Sequence, residues 1–381
     1  MTDSQALAER AKIAAAAQNG FGMKLLADEA SHQIHKNVFL SPLSIFLALA
    51  MTENGAAGKT RAAMRDTLAI PAKLSEDEFQ GAAAALSQSL RSRKDIELSI
   101  ANALWADRSF RLADGFVKRA RDYYDADATS LDFHSPEAAD TINAWVKEHT
   151  RGKIPDIVTP AIVRAAVAIL TNAVYFRGRW REPFSKSQTE DGIFHTVDGR
   201  QQKAPMMHNA KLSGAYRSGD GFEAARLPYQ SSGMAMYAIL PAQGARPEQA
   251  MAKVSIGSLI HGFDAAELDL RLPRFTLDYS TKLKDPLERM GMGIAFQSPG
   301  ADFGPMGSSQ LFIGQVLHKT RLEVDEEGTV AAAATAVVMR PGAMPMRRET
   351  KTLVFDRPFG VLLCDESTEA VLFAGVVYEV K

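Results

Sequence analysis

The most restrictive feature of the chain is a long apolar stretch near its middle. Residues 165–176 read Ala-Ala-Val-Ala-Ile-Leu-Thr-Asn-Ala-Val-Tyr-Phe and include no charged side chain. Such a run is typical of a β-strand buried on both faces, because a strand with one wet face alternates apolar and polar residues. The sequence therefore predicts an interior strand of a β-sheet that is covered on both sides.

The elements predicted around this strand are unevenly distributed. Helical spacing recurs up to about residue 92, beginning with one amphipathic helix or two at residues 6–30, where Gln18-Asn19-Gly20 interrupts the pattern. Ser41 and Pro42 then open a helix in the order that favours a helix start. Beyond residue 176 we predict strands at residues 222–227, 234–240, 269–277, 311–316, 320–324, 352–355, 359–364 and 370–377. Early helices and late strands predict an α+β fold rather than an alternating α/β fold.

The overall composition narrows the class of protein. A chain of 381 residues with 46% apolar and 23% charged residues is an ordinary globular protein of one large domain or two. Its net charge of −1 predicts neither nucleic-acid nor membrane binding. The single cysteine, Cys364, excludes an intramolecular disulfide. The first residues carry no secretory leader, which predicts a cytoplasmic location if the chain is complete.

The chain has no recognisable catalytic motif. Gly-x-Ser-x-Gly, His-Glu-x-x-His, Gly-x-Gly-x-x-Gly and Cys-x-x-Cys are all absent from the sequence. Gly58-Lys59-Thr60 ends like a phosphate-binding loop, but Glu53 occupies the position of that motif's first glycine. The eight histidines lack the spacing of metal ligands, so we predict no metal and no cofactor. These absences predict a binding or inhibitory protein and not an enzyme.

A second unusual stretch lies near the C-terminus. After Gly328, residues 329–336 contain nothing larger than valine and no charge. By propensity its four consecutive alanines favour a short buried helix or a connector, whereas by alternation its odd-numbered residues would share one face of a strand. Residues 340–349, which follow, contain prolines and arginines and indicate exposed chain that proteases can reach.

Several short motifs, spread in order along the whole chain, form a recognisable set. They are Asn-Val-Phe-Leu-Ser-Pro-Leu-Ser-Ile at residues 37–45, Gly-Ala-Ala-Gly at 55–58, Ile-Asn-Ala-Trp-Val at 142–146, Thr-Arg-Gly-Lys-Ile at 150–154, Leu-Thr-Asn-Ala-Val-Tyr-Phe-Arg-Gly-Arg-Trp at 170–180, Leu-Pro-Arg-Phe at 272–275, Val-Leu-His-Lys at 316–319 and Phe-Asp-Arg-Pro-Phe at 355–359. Together they resemble the serpin family, of inhibitory and prokaryotic-like type. The stretch at 170–180, similar to the strand in the middle of the serpin main sheet, is the most specific.

The resemblance implies a fold and a function. The fold is a single large domain over residues 1–381, with a central mixed β-sheet, further sheets and an exposed reactive-centre loop at residues 326–352. It would contain about eight or nine helices packed on those sheets. The implied function is a monomeric, extracellular inhibitor of serine and also cysteine proteases. The protease cuts the loop, is trapped as an acyl-enzyme, and the loop inserts as a strand in the central sheet. The alternative within the family is a non-inhibitory binding or chaperone protein.

The resemblance also assigns roles to individual residues. The hinge and inserting loop are Glu326, Glu327, Gly328, Thr329, Val330, Ala331, Ala332, Ala333, Ala334 and Thr335. Val330 stands where many members have glutamate, and alternation places it on the solvent side. Five residues, which we call the sheet-opening cluster, match positions near the point where the sheet parts: Ser41, Ser44, Asn172, His318 and, near the top where insertion begins, Trp180. A static polar core is the alternative interpretation of the polar members.

Two bonds compete as the bait for the protease. Counting about fourteen residues from Gly328, the usual family spacing along an extended strand, reaches the bond Gly342–Ala343. That bond suits elastase-like or subtilisin-like enzymes. Counting back from Phe355 reaches Arg347 and Arg348, which suit trypsin-like enzymes. The count from the hinge has the stronger physical basis, because the inserted length fixes how far the protease travels.

Overall fold

The computed structural model describes residues 3–91, 96–213, 215–230, 233–263, 266–307, 310–329 and 350–380. Within them lie ten α-helices: α1 Asp3–His32, α2 Pro42–Asn54, α3 Gly58–Thr67, α4 Glu76–Arg91, α5 Asp114–Tyr124, α6 Ala138–His149, α7 Pro160–Arg164, α8 Pro247–Ala252, α9 Ile256–His261 and α10 Lys284–Leu287. Short 3-10 or π turns occur at Lys186–Gln188, Glu288–Met292, Gly293–Phe296 and Gly304–Met306. The predicted eight or nine helices are exceeded because α7 and α10 are single turns.

The same described residues contain sixteen strands: β1 Val38–Leu40, β2 Ile96–Asp107, β3 Asp127–Leu131, β4 Ala168–Arg179, β5 Glu190–His195, β6 Gln201–Ser213, β7 Tyr216–Gly219, β8 Phe222–Pro228, β9 Met234–Pro241, β10 Glu267–Pro273, β11 Phe275–Lys282, β12 Gln315–Val324, β13 Gly328–Thr329, β14 Thr350–Val354, β15 Phe359–Asp365 and β16 Ala370–Val377. Most helices precede β4 and most strands follow it. The predicted α+β class is therefore confirmed.

Helix α1 is continuous through the polar residues that interrupt its sequence pattern. Gln18 Nε2 donates to the carbonyl of Val371 at 2.9 Å, and Asn19 Nδ2 donates to the carbonyl of Glu369 at 2.8 Å. These side chains satisfy backbone groups at the start of β16. The polar residues that interrupt the sequence pattern therefore attach α1 to the C-terminal strands.

Helix α2 is buried at all of its residues, Pro42–Asn54. Ser41 caps its N-terminus, since the Ser41 hydroxyl accepts a hydrogen bond from the Ser44 N–H at 3.3 Å, and Pro42 occupies the first turn. A helix without a wet face must lie between other layers. Its capping turn consequently lies in the interior, directly beneath the central sheet.

The strands form three sheets. The central sheet has the strand order β11-β12-β13-β4-β2-β3, a second sheet of six has the order β1-β16-β15-β9-β8-β7, and a sheet of four has the order β14-β10-β6-β5. The central sheet is mixed, because β4 pairs antiparallel with β2 and parallel with β12. This mixed character was expected from the resemblance.

Strand β4 is the interior strand predicted from the apolar run. Its residues 168–176 are all buried. Leu170 and Val174 face the main hydrophobic core, whereas Ile169 and Ala173 pack under α6 on the other face. Burial on both faces explains why this segment carries no alternating polar pattern.

We call the boundary between β4 and β12 the seam. In its lower part the two strands pair directly, from Gln315 opposite Ile169 to Arg321 opposite Tyr175. At its upper end the two-residue strand β13 lies between them and is antiparallel to both. The seam is therefore closed below and open above.

None of the helices in the described part of the chain combines the length and hydropathy needed to cross a membrane.

Candidate functional site

The upper end of the seam begins with a turn that reverses the chain after β12. The Asp325 carboxylate accepts hydrogen bonds from the N–H groups of Glu327 and Gly328 at 2.9 and 3.1 Å. Burial raises the pKa of Asp325 above its ordinary value, although those two backbone donors act in the opposite direction. The turn aims residues 326–329, which we call the hinge, back toward β4.

Gly328 lies too close to β4 for any other residue. A Cβ atom on Gly328 would be 2.2 Å from the carbonyl oxygen of Gly178, and its φ of +155° is one that side chains rarely adopt. Gly328 pairs with Arg179, and Thr329 pairs with both Gly178 of β4 and Val324 of β12. The hinge thus enters the sheet as the first residues of a strand between β4 and β12.

Thr329 is fully buried and its hydroxyl has a partner. It shares a hydrogen bond of 2.8 Å with the hydroxyl of Tyr229, which is also fully buried. Burial raises the pKa of Tyr229 well above its ordinary value, so this hydroxyl remains protonated. The Thr329 side chain therefore points into the core, in agreement with the alternation proposed for this segment.

The two acidic side chains of the hinge are held by cations. Glu326 is buried and accepts hydrogen bonds from Arg274 and, at 2.7 Å, from the Thr189 hydroxyl. Burial alone would raise the pKa of Glu326, but the bonds from Arg274 and Thr189 outweigh it and lower the pKa. Glu327 pairs with the exposed Lys186 at 2.6 Å. Glu326 is thus held as a carboxylate, and both acidic side chains are anchored beside the opening.

Trp180 lies at the upper end of the seam. Its indole N–H donates to the carbonyl of Asp325 at 2.9 Å, and its backbone N–H donates to the carbonyl of Glu327 at 3.0 Å. Its ring stacks on Tyr229 with centroids 4.6 Å apart. Trp180 therefore holds the turn and the aromatic ring that contacts Thr329.

The other members of the sheet-opening cluster meet beneath the lower seam. His318 of β12 and Asn172 of β4 are directly opposite each other, and His318 Nδ1 hydrogen-bonds the Asn172 side-chain oxygen. His318 Nε2 accepts from the Ser41 N–H at 3.1 Å. The ring is therefore neutral, with its proton on Nδ1, and it joins both strands to the start of α2.

Ser41, Ser44 and Asn102 complete this buried network. The Ser41 hydroxyl donates to the carbonyl of Leu372 at 2.7 Å, and the Ser44 hydroxyl donates to the Asn102 side-chain oxygen at 3.1 Å. The Asn172 amide donates to the side chains of Ser44 and Asn102. Every one of these groups is buried, so each lost hydrogen bond would leave an unpartnered polar atom.

Burial dominates the ionisation of His318. It lowers the pKa of His318 from 6.5 to about 3, while a hydrogen bond with Asn172 acts in the opposite direction. A proton on Nε2 would also point at the Ser41 N–H, which is already a donor. The lower seam thus contains a group that stays neutral until the solution is strongly acidic.

A segment that follows α6 crosses the outer face of the seam. We call residues 150–158 the strap. Lys153 of the strap lies over the ring of Tyr175 on β4 at 5.5 Å, and Asp156 of the strap pairs with Lys319 on β12 at 2.8 Å. Asn143 of α6 holds the strap in place through backbone hydrogen bonds. The strap therefore bridges the two strands that would separate if the seam opened.

The predicted site residues fall into three groups. Glu326, Glu327, Gly328, Thr329 and Trp180 come together at the upper seam. Ser41, Ser44, Asn172 and His318 come together beneath the lower seam. The third group lies outside the described residues and comprises Val330, Ala331, Ala332, Ala333, Ala334, Thr335, Gly342, Ala343, Arg347 and Arg348.

Three residues of the site were not found from the sequence. Asn102 is a polar residue between two alanines in the middle of β2, and that contrast was an available signal. Arg274 interrupts the predicted strand 269–277, which is two strands, β10 and β11, in different sheets. Tyr229 follows a predicted strand and has no local signal, because its partners Thr329 and Trp180 are distant in sequence.

Comparisons with known proteins agree on one family. A sequence model described as serpin (serine protease inhibitor) matches residues 16–380. The uncharacterized serpin-like protein TK1782 of Thermococcus kodakarensis is 35% identical over 364 residues, covering 94% of this chain and 83% of that protein. Leukocyte elastase inhibitor of Bos taurus is 32% identical over 373 residues, covering 94% of this chain and 97% of that protein.

A solved structure adds to this agreement. The crystal structure of tengpin, a thermophilic serpin, in its native state is 30% identical to the chain and has a TM-score of 0.85. The match covers 100% of this chain and 95% of that chain. No group of three or more histidine, cysteine, aspartate or glutamate residues suited to a metal ion occurs among the residues that the structure describes.

Proposed function

The chain belongs to the serpin family, and from this premise we propose that it inhibits serine proteases, and cysteine proteases of similar specificity, as a suicide substrate. Members of this family are in general protease inhibitors rather than enzymes. The proposal concerns how inhibition is achieved: one cleavage of the loop, an acyl-enzyme that is not hydrolysed, and insertion of the cut loop into the seam.

The chemistry of the first step belongs to the protease. Its serine or cysteine attacks the carbonyl of the bait bond, the peptide C–N bond breaks, and the new amine leaves with the segment that continues into β14. The acyl end of the loop is then bonded through an ester or thioester to the protease, its other end remains continuous with the hinge, and the loop is no longer connected to β14. Insertion of the loop competes with hydrolysis of this acyl-enzyme, so the protease is trapped when insertion is the faster of the two.

The position of the hinge is the observation that carries the proposal. Gly328 and Thr329 already occupy the place of an additional strand between β4 and β12. Below them the two strands pair in parallel. A loop that continued downward would replace this parallel pairing with two antiparallel pairings, which are slightly more stable per residue and add hydrogen bonds on both sides. Insertion is therefore downhill once cleavage frees the loop.

The register also supports one of the two bait bonds. Thr329 lies opposite Gly178, so continued antiparallel pairing would bring Met339 opposite Ala168, where β4 begins. Arg340 and Pro341 follow at once, and proline lacks the N–H that a ladder requires. A bait bond at Gly342–Ala343 would leave a short tether past the end of the strand and keep the protease tight against the protein. A bond at Arg347 would leave about 17 Å more slack, at about 3.3 Å per residue.

The inserted residues are small where they would face inward. By alternation from Thr329, the inward side chains are Ala331, Ala333 and Thr335. These side chains would have to fit over a core that is packed at crystal-like density, and larger or charged ones would be excluded. The composition of this segment is thus explained by the state it would enter after cleavage.

A panel of serine and cysteine proteases tests the proposed function. We expect at least one enzyme, of elastase or subtilisin type, to form a complex with the chain that survives denaturing electrophoresis. Mass spectrometry of the released segment should show Ala343 as its new N-terminus. Cleavage by every enzyme without a covalent complex, and without a rise in the unfolding temperature of the cut protein, would contradict the proposal and favour the non-inhibitory alternative.

A further inference from the structure

The contact between Tyr229 and Thr329 deepens the proposed function and rests on it. We propose that the Tyr229 hydroxyl is a positioning group that holds Thr329 in the seam before cleavage, so that insertion starts from paired residues in one fixed register. Tyr229 touches no part of the protease. It acts through the threonine that begins the inserted strand.

The space above Tyr229 is built for this contact. Gly178 lies over the tyrosine ring, and a Cβ atom on Gly178 would be 2.7 Å from Tyr229 Cδ1. Trp180 stacks on the ring from one side, and Phe176 meets its edge with centroids 5.1 Å apart. The ring therefore has no freedom to turn away, and its hydroxyl is presented at one point beneath the seam.

Among Glu327, Thr329 and Ala331, only Thr329 offers the buried Tyr229 hydroxyl an uncharged hydrogen-bond partner. If the hinge slipped upward by two residues, Ala331 would lie above Tyr229, and if it slipped downward by two residues, Glu327 would lie there. Alanine would leave the buried Tyr229 hydroxyl without a partner, and glutamate would bring a charge into the core. A slip by one residue would turn the Thr329 side chain to the opposite face. The hydroxyl pair therefore selects the register that every later residue inherits.

Docking before cleavage affects the competition that follows it. If the first residues of the strand are already paired to both neighbours, the entropic cost of joining its end to the sheet arises before cleavage and does not slow insertion afterwards. Each acyl-enzyme either is trapped by insertion or is hydrolysed, so the number of inhibitor molecules used per protease exceeds one by the ratio of hydrolysis to insertion. Slower insertion must raise that excess in direct proportion.

Hydrogen exchange measures hinge docking without any protease. In Tyr229→Phe and in Thr329→Val, we expect the amides of the peptide that spans the hinge to exchange about fivefold faster, the effect of one net hydrogen bond. Thr329→Ser keeps the hydroxyl and should exchange at the wild-type rate. Tyr237→Phe is the matched control, because Tyr237 is a buried tyrosine whose hydroxyl bonds Glu366, away from the seam. Unchanged exchange in both Tyr229→Phe and Thr329→Val would overturn the inference, whatever the protein inhibits.

Titration against a protease that forms the covalent complex measures the consequence. We expect the excess of inhibitor over protease to rise about fivefold in Tyr229→Phe and Thr329→Val, in line with the lost hydrogen bond. It should stay at the wild-type value in Thr329→Ser and Tyr237→Phe. The double variant Tyr229→Phe/Thr329→Val leaves neither hydroxyl unpartnered and should lie closer to wild type than the sum of the single effects.

The outcomes separate the two proposals. If wild type traps the protease and the single variants trap it with unchanged stoichiometry, the positioning role is wrong while the proposed function stands. If wild type is cut without trapping, the proposed function is wrong, and the exchange experiment still decides whether Tyr229 holds the hinge. An equal change in Tyr237→Phe would assign the effect to general loss of core stability and would also overturn the inference.

Discussion

The two ends of the seam between β4 and β12 are built differently. At the lower end the strands pair directly over seven residue pairs. His318 and Asn172 are joined on the core face of this part of the sheet, and the strap crosses its outer face. Above, β13 separates the same two strands, and the contacts come from the hinge carboxylates and the exposed side chains of Arg274 and Lys186. The same pair of strands is therefore compatible with two spacings. By the proposed mechanism, opening the seam would extend downward an arrangement that already exists at its upper end.

The two ends also differ in their electrostatic environment. The core side of the lower seam is uncharged, since His318 is fully buried and its pKa is lowered to about 3. The upper seam holds ionised groups, and hydrogen bonds from Arg274 and Thr189 lower the pKa of Glu326 despite its burial. A charge introduced at an inward position of the hinge should therefore act on the upper end of the seam, whereas a proton added to His318 should act on the lower end.

The largest expected effect comes from a charge at the inward position of the upper end. In Thr329→Arg the side chain must either be buried without a partner or force the hinge out of the sheet. Either outcome costs several kcal/mol, so covalent complex with a susceptible protease should fall by at least about tenfold while cleavage continues. Quantitative denaturing electrophoresis measures both products.

Val330→Arg is the matched control for this change. The same charge one residue later should project to solvent by alternation, and complex formation should remain near that of wild type. Equal loss of complex in both variants would contradict the inward placement of Thr329 during insertion.

The second effect concerns the lower end and pH. His318 has a folded pKa of about 3 against about 6.5 when unfolded, so the unfolded chain binds more protons between these values and stability is lost as pH falls through them. At pH 5 the expected loss relative to pH 8 is about 2 kcal/mol of unfolding free energy. Urea unfolding at a series of pH values measures it.

A His318→Gln variant isolates this contribution. The variant retains every carboxylate of wild type and lacks only this histidine, so the difference in unfolding free energy between the two proteins should shrink by about 2 kcal/mol from pH 8 to pH 5. Parallel curves over this range would show that protonation of His318 does not control the lower seam.

The smallest effect comes from loosening the strap. Lys319→Met removes the ion pair to Asp156 and keeps the apolar stem of the side chain. A partly exposed pair contributes about 0.5–1 kcal/mol, so spontaneous loss of inhibitory activity on storage should be about two- to fivefold faster. Residual inhibition of a susceptible protease, followed over time, gives the rate.

Lys118→Met is the control for this change, because Lys118 pairs with Asp122 on the same helix and does not contact the seam. It should lose activity at the wild-type rate. Identical rates in Lys319→Met and wild type would mean that the strap does not restrain opening.

Local sequence signals were sufficient for the fold class and for some elements, whereas the predicted strands 311–316 and 320–324 are one strand, β12. Strand β16 has the predicted bounds 370–377, α2 begins where Ser41 and Pro42 indicated, and β4 is the apolar strand buried on both faces. Each of these rests on residues that are close in sequence. Periodicity and capping report such short-range preferences directly.

Contacts between distant segments were beyond those signals. The polar residues Gln18 and Asn19 made the sequence compatible with either one helix or two at residues 6–30. Their side chains bind carbonyls near the start of β16, about 350 residues away, and this contact is compatible with one continuous helix. The predicted strand 269–277 is divided where Arg274 leaves one sheet to reach Glu326. Polar side chains in elements report that a partner exists, but only the fold identifies the partner.

Filling of the seam between β4 and β12 would have a consequence for a mixture of this protein with its target. Once a cut loop fills the seam by the proposed mechanism, no step restores the intact bait, and each molecule can remove one protease at most. Free protease activity would remain near zero until enzyme outnumbers inhibitor and would then rise linearly. The abundance of this protein would therefore set a threshold for proteolysis rather than a fractional reduction in its rate.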